Sequence, residues 1–159
     1  MSDDNLVKIL FRFYSNILDE ETTETMWAEV VDLEKGYYKL DNIPFYAPLI
    51  ASDDVVFAEY DDVESMLTYR KTVKYSGNST IHVVIMNDKY EINVIRKIFE
   101  DMSCVSERYS DKYFALEIPF DIDYVPVKQK LDEMEKEEII GYAETCLSEK
   151  HQYKNQSDD

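Results

Sequence analysis

The chain has 159 residues, the size of one domain or of two small ones. Its 34 acidic residues against 17 basic ones give a formal net charge of −17, which argues against a direct role on nucleic acid and favours cationic partners. No apolar run reaches the length of a transmembrane helix, and the acidic start MSDDN is unlike a secretory signal. We therefore expect a cytoplasmic protein with no membrane role.

Short β-branched and aromatic stretches fill the first half of the chain. In VKILFRF, alternation places the apolar side chains on one face of a strand: Val7, Ile9, Phe11 and Phe13. TMWAEVVDLEKGYYKLDNIPF predicts a hairpin with Gly36 in its turn, and DVVFAEY and MLTYRKTVKYS predict two further strands. Five short antiparallel strands favour a small closed barrel, because an open sheet would leave its edges unprotected.

At the segment SGNST, residues 76–80, the apolar pattern changes from short strands to alternating strands and helices, so this segment is our expected domain boundary. TIHVVIM predicts a strand, apolar spacing from Ile92 to Met102 predicts a helix, and a hairpin and a second helix containing Pro126 follow. IIGYAETCL fits a strand or a helix; we choose a strand. The order is then β-α-β-β-α-β, typical of a ferredoxin-like unit.

The predicted fold class is therefore α+β, with an N-terminal small antiparallel β-barrel followed by a ferredoxin-like βαββαβ unit. The predicted domains are a five-stranded barrel over residues 1–77 and the ferredoxin-like unit over residues 78–148. Residues 149–159 are polar and show no periodicity, so we expect a disordered tail.

Candidate catalytic and metal-binding residues are few. Cys104 and Cys146 fall in predicted strands without a cationic neighbour, and His82 and His151 lie in a strand and in the tail. Two cysteines suit a reducing compartment, and their expected places at opposite sheet edges would prevent a disulfide. We predict a protein that is not an enzyme, with no catalytic residue, cofactor or metal.

Three segments carry a resemblance to a known family: WAEVVDLEKGYYKLDNIPFYAPLIASDDVVFAEYDD, KYSGNSTIHVVI and YAETCL. The Trp-Ala pair, DNIPF, the DVV strand start and the SGNST entry together resemble the DUF4265 family of bacterial proteins. The family has no assigned function, so the resemblance implies no catalytic residues. It implies a role only indirectly, because such proteins look like those found in bacterial toxin and immunity neighbourhoods.

The segment KLDNIPFYAPLIASDDVVFAEYDD, residues 39–62, combines acidic and aromatic residues between two predicted strands. Phe45 and Phe57 fit inward positions of a small barrel, whereas Tyr46 and Tyr60 are less easily buried. Carboxylates around exposed tyrosines would attract and anchor a basic protein. The predicted partner-binding residues are Tyr46, Asp53, Asp54, Glu59, Tyr60, Asp61, Asp62 and Glu64. The alternative is a turn locked by its proline together with a solvated acidic face.

Two functional hypotheses from different classes follow. In the first, the chain is a non-catalytic immunity protein that neutralises a basic cytotoxic effector with its acidic surface. In the second, it is a small-molecule-sensing or regulatory module, an analogy drawn from the predicted fold alone. An enzyme using paired carboxylates is disfavoured, since acid pairs arise easily in so acidic a chain. Exposed strand edges would permit a homodimer without requiring one.

Overall fold

The computed structural model describes residues 6–16 and 18–153. The chain divides into two compact units, Met1–Ser76 and Gly77–Asp159. The boundary expected from the sequence, after residue 77, lies one residue beyond this division. None of the described helices is long and apolar enough to cross a bilayer.

The first unit is a closed sheet of five strands in the order β1-β2-β3-β4-β5. Neighbouring strands are antiparallel, and the sheet closes through a parallel pairing of β1 with β5 at Leu10 and Thr68. The strands are β1 Leu6–Ser15, β2 Glu20–Asp32, β3 Tyr37–Leu40, β4 Val55–Asp61 and β5 Met66–Lys74.

Alternation along the strands builds the core of the first unit. Ile9 and Phe11 of β1 are buried as expected, and the Phe11 ring stacks on Tyr69 with 4.7 Å between ring centroids. Val7 and Phe13 pack against the same core. Ring stacking adds to the area that these side chains bury.

The predicted inward position of Phe57 is wrong. Val56 and Ala58, its neighbours on β4, are 0% and 1% exposed and belong to the core. Because strand side chains alternate between faces, Phe57 lies on the outer face, where it is half-buried. Phe45, also expected inside, is half-buried in the loop before β4.

The second unit is a four-stranded antiparallel sheet in the order β7-β8-β6-β9, with two α-helices. The predicted strand at IIGYAETCL is confirmed as β9. The elements are β6 Ser79–Ile85, α1 Ile92–Glu100, β7 Val105–Arg108, β8 Tyr113–Ile118, α2 Tyr124–Lys136 and β9 Ile140–Cys146.

Each helix begins at a capping carboxylate. Glu91 accepts a hydrogen bond from Asn93 N at the start of α1, and Asp123 accepts one from Val125 N at the start of α2, both at 3.0 Å. The helices bury an apolar stripe against one face of the sheet. Its buried members are Ile92, Ile95, Phe99, Tyr124, Val127, Leu131 and Met134.

The predicted α+β class is wrong, because the structure is mostly β. Strands hold 46% of the described residues and helices 17%, in two antiparallel sheets with two α-helices. The physical reason is that both units are built around sheets, while the short helices cover one face of the second sheet only. The predicted ferredoxin-like βαββαβ unit is likewise not shown.

The chain beyond β9 also differs from expectation. Glu149–His151 form one turn of 3-10 helix after Ser148, and the His151 side chain is 2% exposed. The prediction of disorder is therefore wrong for residues 149–153. Residues 154–159, the rest of the predicted tail, lie outside the described residues.

Candidate functional site

The loop between β3 and β4, residues 41–54, is held by side-chain oxygen atoms. The Glu24 carboxylate on β2 accepts hydrogen bonds from Phe45 N at 2.7 Å, Tyr46 N at 3.1 Å and Ala47 N at 2.9 Å. Charge-assisted bonds of this kind are stronger than neutral ones. The loop is thus fixed in place by a residue on a neighbouring strand.

Asn42 and Asp54 hold the two ends of this loop. Asn42 Oδ1 accepts a hydrogen bond from Trp27 N at 2.7 Å. The Asp54 carboxylate accepts bonds from Ala51 N at 3.0 Å and Ser76 N at 2.8 Å. The backbone amides of the loop and its surroundings therefore find acceptors without a further strand.

Asp54 does not belong to a binding surface, although the sequence placed it there. Its side chain is 1% exposed, so it cannot reach a partner. Burial raises the pKa of its carboxyl group, an effect that the backbone bonds from Ser76 and Ala51 oppose. Asp54 is instead a structural residue of the loop.

The predicted acidic residues after Ala58 lie at the end of β4 and in the turn that follows. Asp61 Oδ1 accepts hydrogen bonds from Val63 N at 2.9 Å and Glu64 N at 3.0 Å. Its other oxygen accepts a bond from Arg70 Nη2 at 2.8 Å. The bonds from Arg70 and Glu64 N lower the pKa of Asp61, so this carboxylate stays charged.

Two arginines organise these carboxylates into triads. Arg12 binds Glu64 through Nε at 2.9 Å and Glu21 through Nη1 at 3.1 Å. In the second triad, Arg70 Nε binds Glu59 at 3.0 Å while its Nη2 binds Asp61. Each arginine thus carries two carboxylates, so each triad keeps a net negative charge.

Alternation along β4 separates the predicted residues. Glu59 and Asp61 point to the outer face, whereas Tyr60 follows the inward side beyond the buried Ala58 and is 61% exposed at the strand end. We define the acidic surface as the two triads with the exposed Asp62: Arg12, Glu21, Glu59, Asp61, Asp62, Glu64 and Arg70.

The two remaining predicted residues lie in the loop before β4. Asp53 is exposed and adopts a positive φ of 68°, while Tyr46 is half-buried and is positioned by Glu24. The structure therefore brings Glu59, Asp61 and Glu64 together through arginines. It does not gather all eight predicted residues at one point.

A buried histidine and serine form a network in the second unit that the sequence did not reveal. His151 Nδ1 lies 2.6 Å from Ser79 Oγ, and its Nε2 lies 2.9 Å from Pro119 O. Since the carbonyl oxygen can only accept, Nε2 carries the ring proton and donates to Pro119 O, and Nδ1 accepts a hydrogen bond from the Ser79 hydroxyl. Ser79 is 0% exposed, so this pair has no access to a substrate.

A second network surrounds Lys128 on α2. Lys128 Nζ donates to Tyr142 OH at 2.9 Å and lies 4.5 Å from the centre of the Tyr153 ring. Glu144 accepts from Tyr124 OH at 2.5 Å and Tyr153 OH at 2.7 Å. These bonds tie α2 to β9 and to the segment after it.

The protonation states of this network are fixed. Burial lowers the pKa of Lys128, but its bond with Tyr142 and the Glu144 charge outweigh that effect and raise the pKa. Burial raises the pKa of Tyr142 to about 12. Lys128 and Tyr142 therefore stay protonated near neutral pH, and neither can act as a general base.

Both cysteines are buried. Cys104 and Cys146 do not form a disulfide with each other. Burial raises the pKa of the Cys104 thiol to about 12, and the charge of Glu117 acts in the same direction. Among the described residues, no three His, Cys, Asp or Glu side chains are grouped as a metal site.

Two open clefts flank the loop between β6 and α1. The first, of about 420 Å³, is crossed by an ion pair between Asp88 and Lys112 at 2.9 Å. The second, of about 700 Å³, is lined by Met86, Glu135 and Glu138 among others. Both are shallow and rich in charged side chains, unlike the enclosed apolar sites that most small ligands occupy.

These features define a protein of two small, mostly β units with an arginine-organised acidic surface. The chain belongs to the family described as Domain of unknown function (DUF4265), whose model matches residues 24–142, and the resemblance seen in the sequence is confirmed.

A solved structure gives a second comparison. The chain is similar to the one described as "Novel crystal structure of a hypothetical protein from Neisseria gonorrhoeae", with 25% sequence identity and a TM-score of 0.76. The match covers 89% of this chain and 94% of the other. None of the curated proteins matches this chain.

Proposed function

We propose that this chain is a non-catalytic protein-binding protein whose acidic surface takes a basic protein partner. The observation that carries the proposal is the pair of triads, in which Arg12 and Arg70 each hold two carboxylates in fixed positions. Side chains that are ordered before binding lose less entropy when a partner arrives.

The electrostatics of the surface support a cationic partner. Each triad has one positive and two negative charges, and the exposed Asp62 adds another negative charge beside them. Lysine and arginine side chains of a partner would pair with the remaining carboxylate lone pairs. Such complementarity raises the association rate and rejects acidic competitors.

The finer proposal is an immunity protein that neutralises a basic cytotoxic effector inside the cell. Support comes from the net charge of −17 and from the burial of Ser79, His151 and Cys104, whose side chains are not accessible to a substrate. The small number of cysteines, two, agrees with the reducing cytoplasm where such a protein would act.

The test uses the tagged full chain expressed in its native host and purified at low salt. We expect one stoichiometric basic protein to co-purify, to dissociate in high salt and to be toxic when expressed alone. The variant Glu59→Lys/Asp62→Lys should lose this protein. The matched control Glu107→Lys/Glu137→Lys reverses two exposed charges in the second unit and should retain it.

Three outcomes contradict the proposal. No co-purifying protein, an acidic one, or equal loss in both variants would each show that the acidic surface does not select a basic partner. Circular dichroism of each variant separates loss of binding from loss of folding.

The second candidate is a small-molecule-sensing module, and the clefts beside the β6–α1 loop favour it. A ligand held there would contact Asp88 and Lys89, which line both clefts. Thermal-shift screening with cationic and zwitterionic metabolites tests this function, since a bound ligand raises the melting temperature. The shift should disappear in Asp88→Asn and persist in Glu59→Lys/Asp62→Lys.

A further inference from the structure

Although the sheet of the first unit is closed, β2 extends well beyond the strand next to it. β2 has 13 residues and β3 has four, and the two strands pair only from Ala28 to Asp32 of β2. On its other side, β2 pairs with β1 from Glu20 to Glu29. Within the part of the chain that the structure describes, residues 20–26 of β2 therefore have a neighbouring strand on one side only.

Trp27 shows which way the backbone groups of this segment point. Its N–H donates to Asn42 Oδ1 at 2.7 Å, and its C=O accepts from Asp41 N at 2.9 Å. Both partners directly follow β3, so these groups point to the β3 side. Backbone groups alternate between the two sides of an antiparallel strand, and β1 and β2 pair residue for residue. The N–H and C=O groups of Thr25 and Thr23 therefore also point away from β1.

With Glu21, these residues form an edge that is open to another strand, and we define Glu21, Thr23 and Thr25 as the open edge of β2. It offers three N–H and three C=O groups over about 13 Å, since a strand rises about 3.3 Å per residue. All three residues are exposed, and no other described residue bonds to their outward backbone groups. The loop after β3 does not extend the sheet here, because its amides bond to the Glu24 carboxylate.

The sequence ETTET suits a strand that waits for a second partner. Thr22, Thr23 and Thr25 are β-branched, and such side chains favour the extended backbone. The segment is regular strand throughout. An extended, exposed edge with outward N–H and C=O groups is the template that strand addition uses.

Carboxylates lie along this edge. Glu20 and Glu21 stand at its start, and Asp41 lies beside its far end. Neither Glu20 nor Asp41 forms an ion pair with another described residue. Glu21 shares Arg12 with a second carboxylate.

The cations near the edge do not remove its negative charge. Lys8 Nζ lies 5.0 Å from the centre of the Trp27 ring. Lys39 lies directly opposite Glu29. Six carboxylates thus stand against three cations around the edge: Glu20, Glu21, Glu24, Glu29, Asp41 and Glu64 against Lys8, Arg12 and Lys39.

We propose that the open edge of β2 takes an extended basic segment of the partner protein as an added strand. Main-chain hydrogen bonds to Thr23 and Thr25 would hold the segment, and its lysine or arginine side chains would pair with Glu20 and Glu21. This inference rests on the proposed function for the charge of the partner and adds the backbone pairing by which it docks. A second copy of this chain fits less well, because each copy carries a net charge of −17.

Hydrogen exchange of the free chain, measured by NMR on the full-length protein, tests whether the edge is open. The amides of Glu24 and Met26 point to β1, opposite Phe11 and Ile9, and should be protected. The amide of Thr25 should exchange at least about tenfold faster than these two, because it has no acceptor in the sheet.

The probe for the bound state is a capped peptide of about seven alternating Lys and Val residues, long enough to span the edge. We expect saturable binding that weakens in salt and that slows exchange of the Thr23 and Thr25 amides at least about tenfold. The same peptide with every backbone nitrogen methylated keeps its charge but cannot donate, and it should not bind. A peptide of alternating Glu and Val should not bind either.

Thr25→Pro removes one outward N–H group without removing a bond to β1, and its ring obstructs an added strand. It should lower the affinity for the Lys-Val peptide at least about tenfold. The matched control Thr25→Val keeps the N–H group and the β-branched shape, and should bind as the unmodified chain does. Circular dichroism checks the folding of both variants, and the methylated peptide gives an answer that needs no change in the chain.

Other outcomes overturn the inference. Slow exchange of Thr23 and Thr25 in the free chain would show that the edge is already covered. Slowing that grows with protein concentration without peptide would reassign the edge to a second copy. Equal binding of the methylated peptide would show charge attraction without backbone pairing, and absence of saturable binding would remove the edge as a site.

Co-purification with the native partner separates a failure of this inference from a failure of the proposed function. If Thr25→Pro retains the basic protein that Glu59→Lys/Asp62→Lys loses, the partner docks on the acidic surface without the edge, and this inference fails. If Thr25→Pro loses that protein and Glu59→Lys/Asp62→Lys retains it, the acidic surface fails and the edge stands. The peptide assay decides on the edge even when no protein co-purifies.

Discussion

Glu24 shows how one residue can account for an unusual loop. The loop before β4 contains two prolines and several aromatic residues, and it has no strand partner for Phe45 N, Tyr46 N or Ala47 N. A single half-buried carboxylate accepts all three. Buried or half-buried amides without an acceptor would each carry a desolvation penalty.

We predict that Glu24→Gln lowers the free energy of unfolding by about 1–3 kcal/mol, because the amide has one acceptor oxygen and no charge to serve three N–H groups. Urea denaturation measures the change. Glu29→Gln, at a half-buried position on the same strand, is the matched control and should cost less than about 0.5 kcal/mol. Equal losses in the two variants would contradict the assigned role.

His151 predicts a pH dependence of stability. Burial lowers its pKa below the ordinary value of 6.5, although Pro119 O, the Ile122 backbone and the Asp123 charge oppose this shift. The folded state then binds fewer protons than the unfolded state at mildly acidic pH, so stability falls as pH drops through about 6.5. The neutral Ser79 and Ser148 hydroxyls face Nδ1, and the Tyr124 ring lies 5.9 Å away.

The measurement compares urea denaturation of the unmodified chain and His151→Gln at about pH 7.5 and about pH 5.5. Glutamine does not titrate, so the advantage of the histidine should shrink at the lower pH. Carboxylates titrate equally in both proteins and cancel in the difference. An advantage that stays constant or grows on acidification would show that burial does not disfavour the charged imidazole.

The sequence did not predict the contacts of Arg12 and His151, because their partners are distant in the sequence. Alternation places Arg12 on the outer face of β1, but nothing local indicates that it binds Glu64, 52 residues away. His151 likewise meets Ser79 across 72 residues. Closure of the sheet creates the first pair, and the return of the chain after β9 creates the second.

At the scale of elements, the turn between β2 and β3 depends on Gly36. Its φ of +76° belongs to the left-handed region, and an added Cβ would lie 2.9 Å from Ala58 O and 3.1 Å from the Phe57 ring. Both a conformational and a steric penalty therefore oppose any side chain there.

We predict that Gly36→Ala lowers the free energy of unfolding by about 1–2 kcal/mol or more. Gly141→Ala is the comparison, because Gly141 has an ordinary φ and its nearest obstacle is the Val84 side chain at 3.2 Å, which can move. Thermal denaturation of both variants measures the difference. A smaller loss at Gly36 than at Gly141 would contradict the role given to the turn.

The helices also cover part of each edge of the second sheet. Ser106 lies on β7 and Tyr142 on β9, the two outer strands of this sheet. Arg96 Nη2 on α1 donates to Ser106 O at 3.3 Å, and Glu135 on α2 accepts from Tyr142 N at 3.3 Å. These contacts occupy groups that another strand would need.

The homodimer that exposed edges would permit is therefore disfavoured at these two edges. We predict that the unmodified chain sediments as one species, while Arg96→Ala/Glu135→Ala shows concentration-dependent association. Lys97→Ala, on the exposed side of α1, is the control and should behave as the unmodified chain does. Sedimentation velocity over a range of concentrations decides, and a dimer of the unmodified chain would refute the prediction.

The period of apolar residues was enough to predict both helices, because their apolar residues recur at helical spacing. For β9 the same pattern left a strand and a helix open, and the choice of a strand is confirmed. It failed for Phe57, where the aromatic type favoured the core but the small Ala58 and Val56 fill it. It also failed after β9. The stretch from Ser148 to Tyr153 is polar and shows no periodicity, but it is anchored by the buried His151 and the half-buried Tyr153.

At the scale of the whole molecule, the carboxylates differ in what they bind. Some carboxylates are fixed by hydrogen bonds, as Glu24 and Asp54 are, and others are paired with arginines. With 34 acidic residues and 17 basic ones, many carboxylates must still repel one another. That repulsion destabilises the compact state and is screened by salt.

We therefore predict that adding salt from about 20 mM to about 0.5 M raises the melting temperature, since the Debye length falls well below 10 Å over this range. A gain of about 1 kcal/mol would appear as a rise of about 2–4 °C for a chain of this size. Salt also weakens the triads of Arg12 and Arg70, but exposed ion pairs contribute little each. Glu107→Lys/Glu137→Lys lowers the net negative charge and should show a smaller rise. A melting temperature that falls with salt would mean that ion pairing, and not repulsion among carboxylates, governs the stability of this chain.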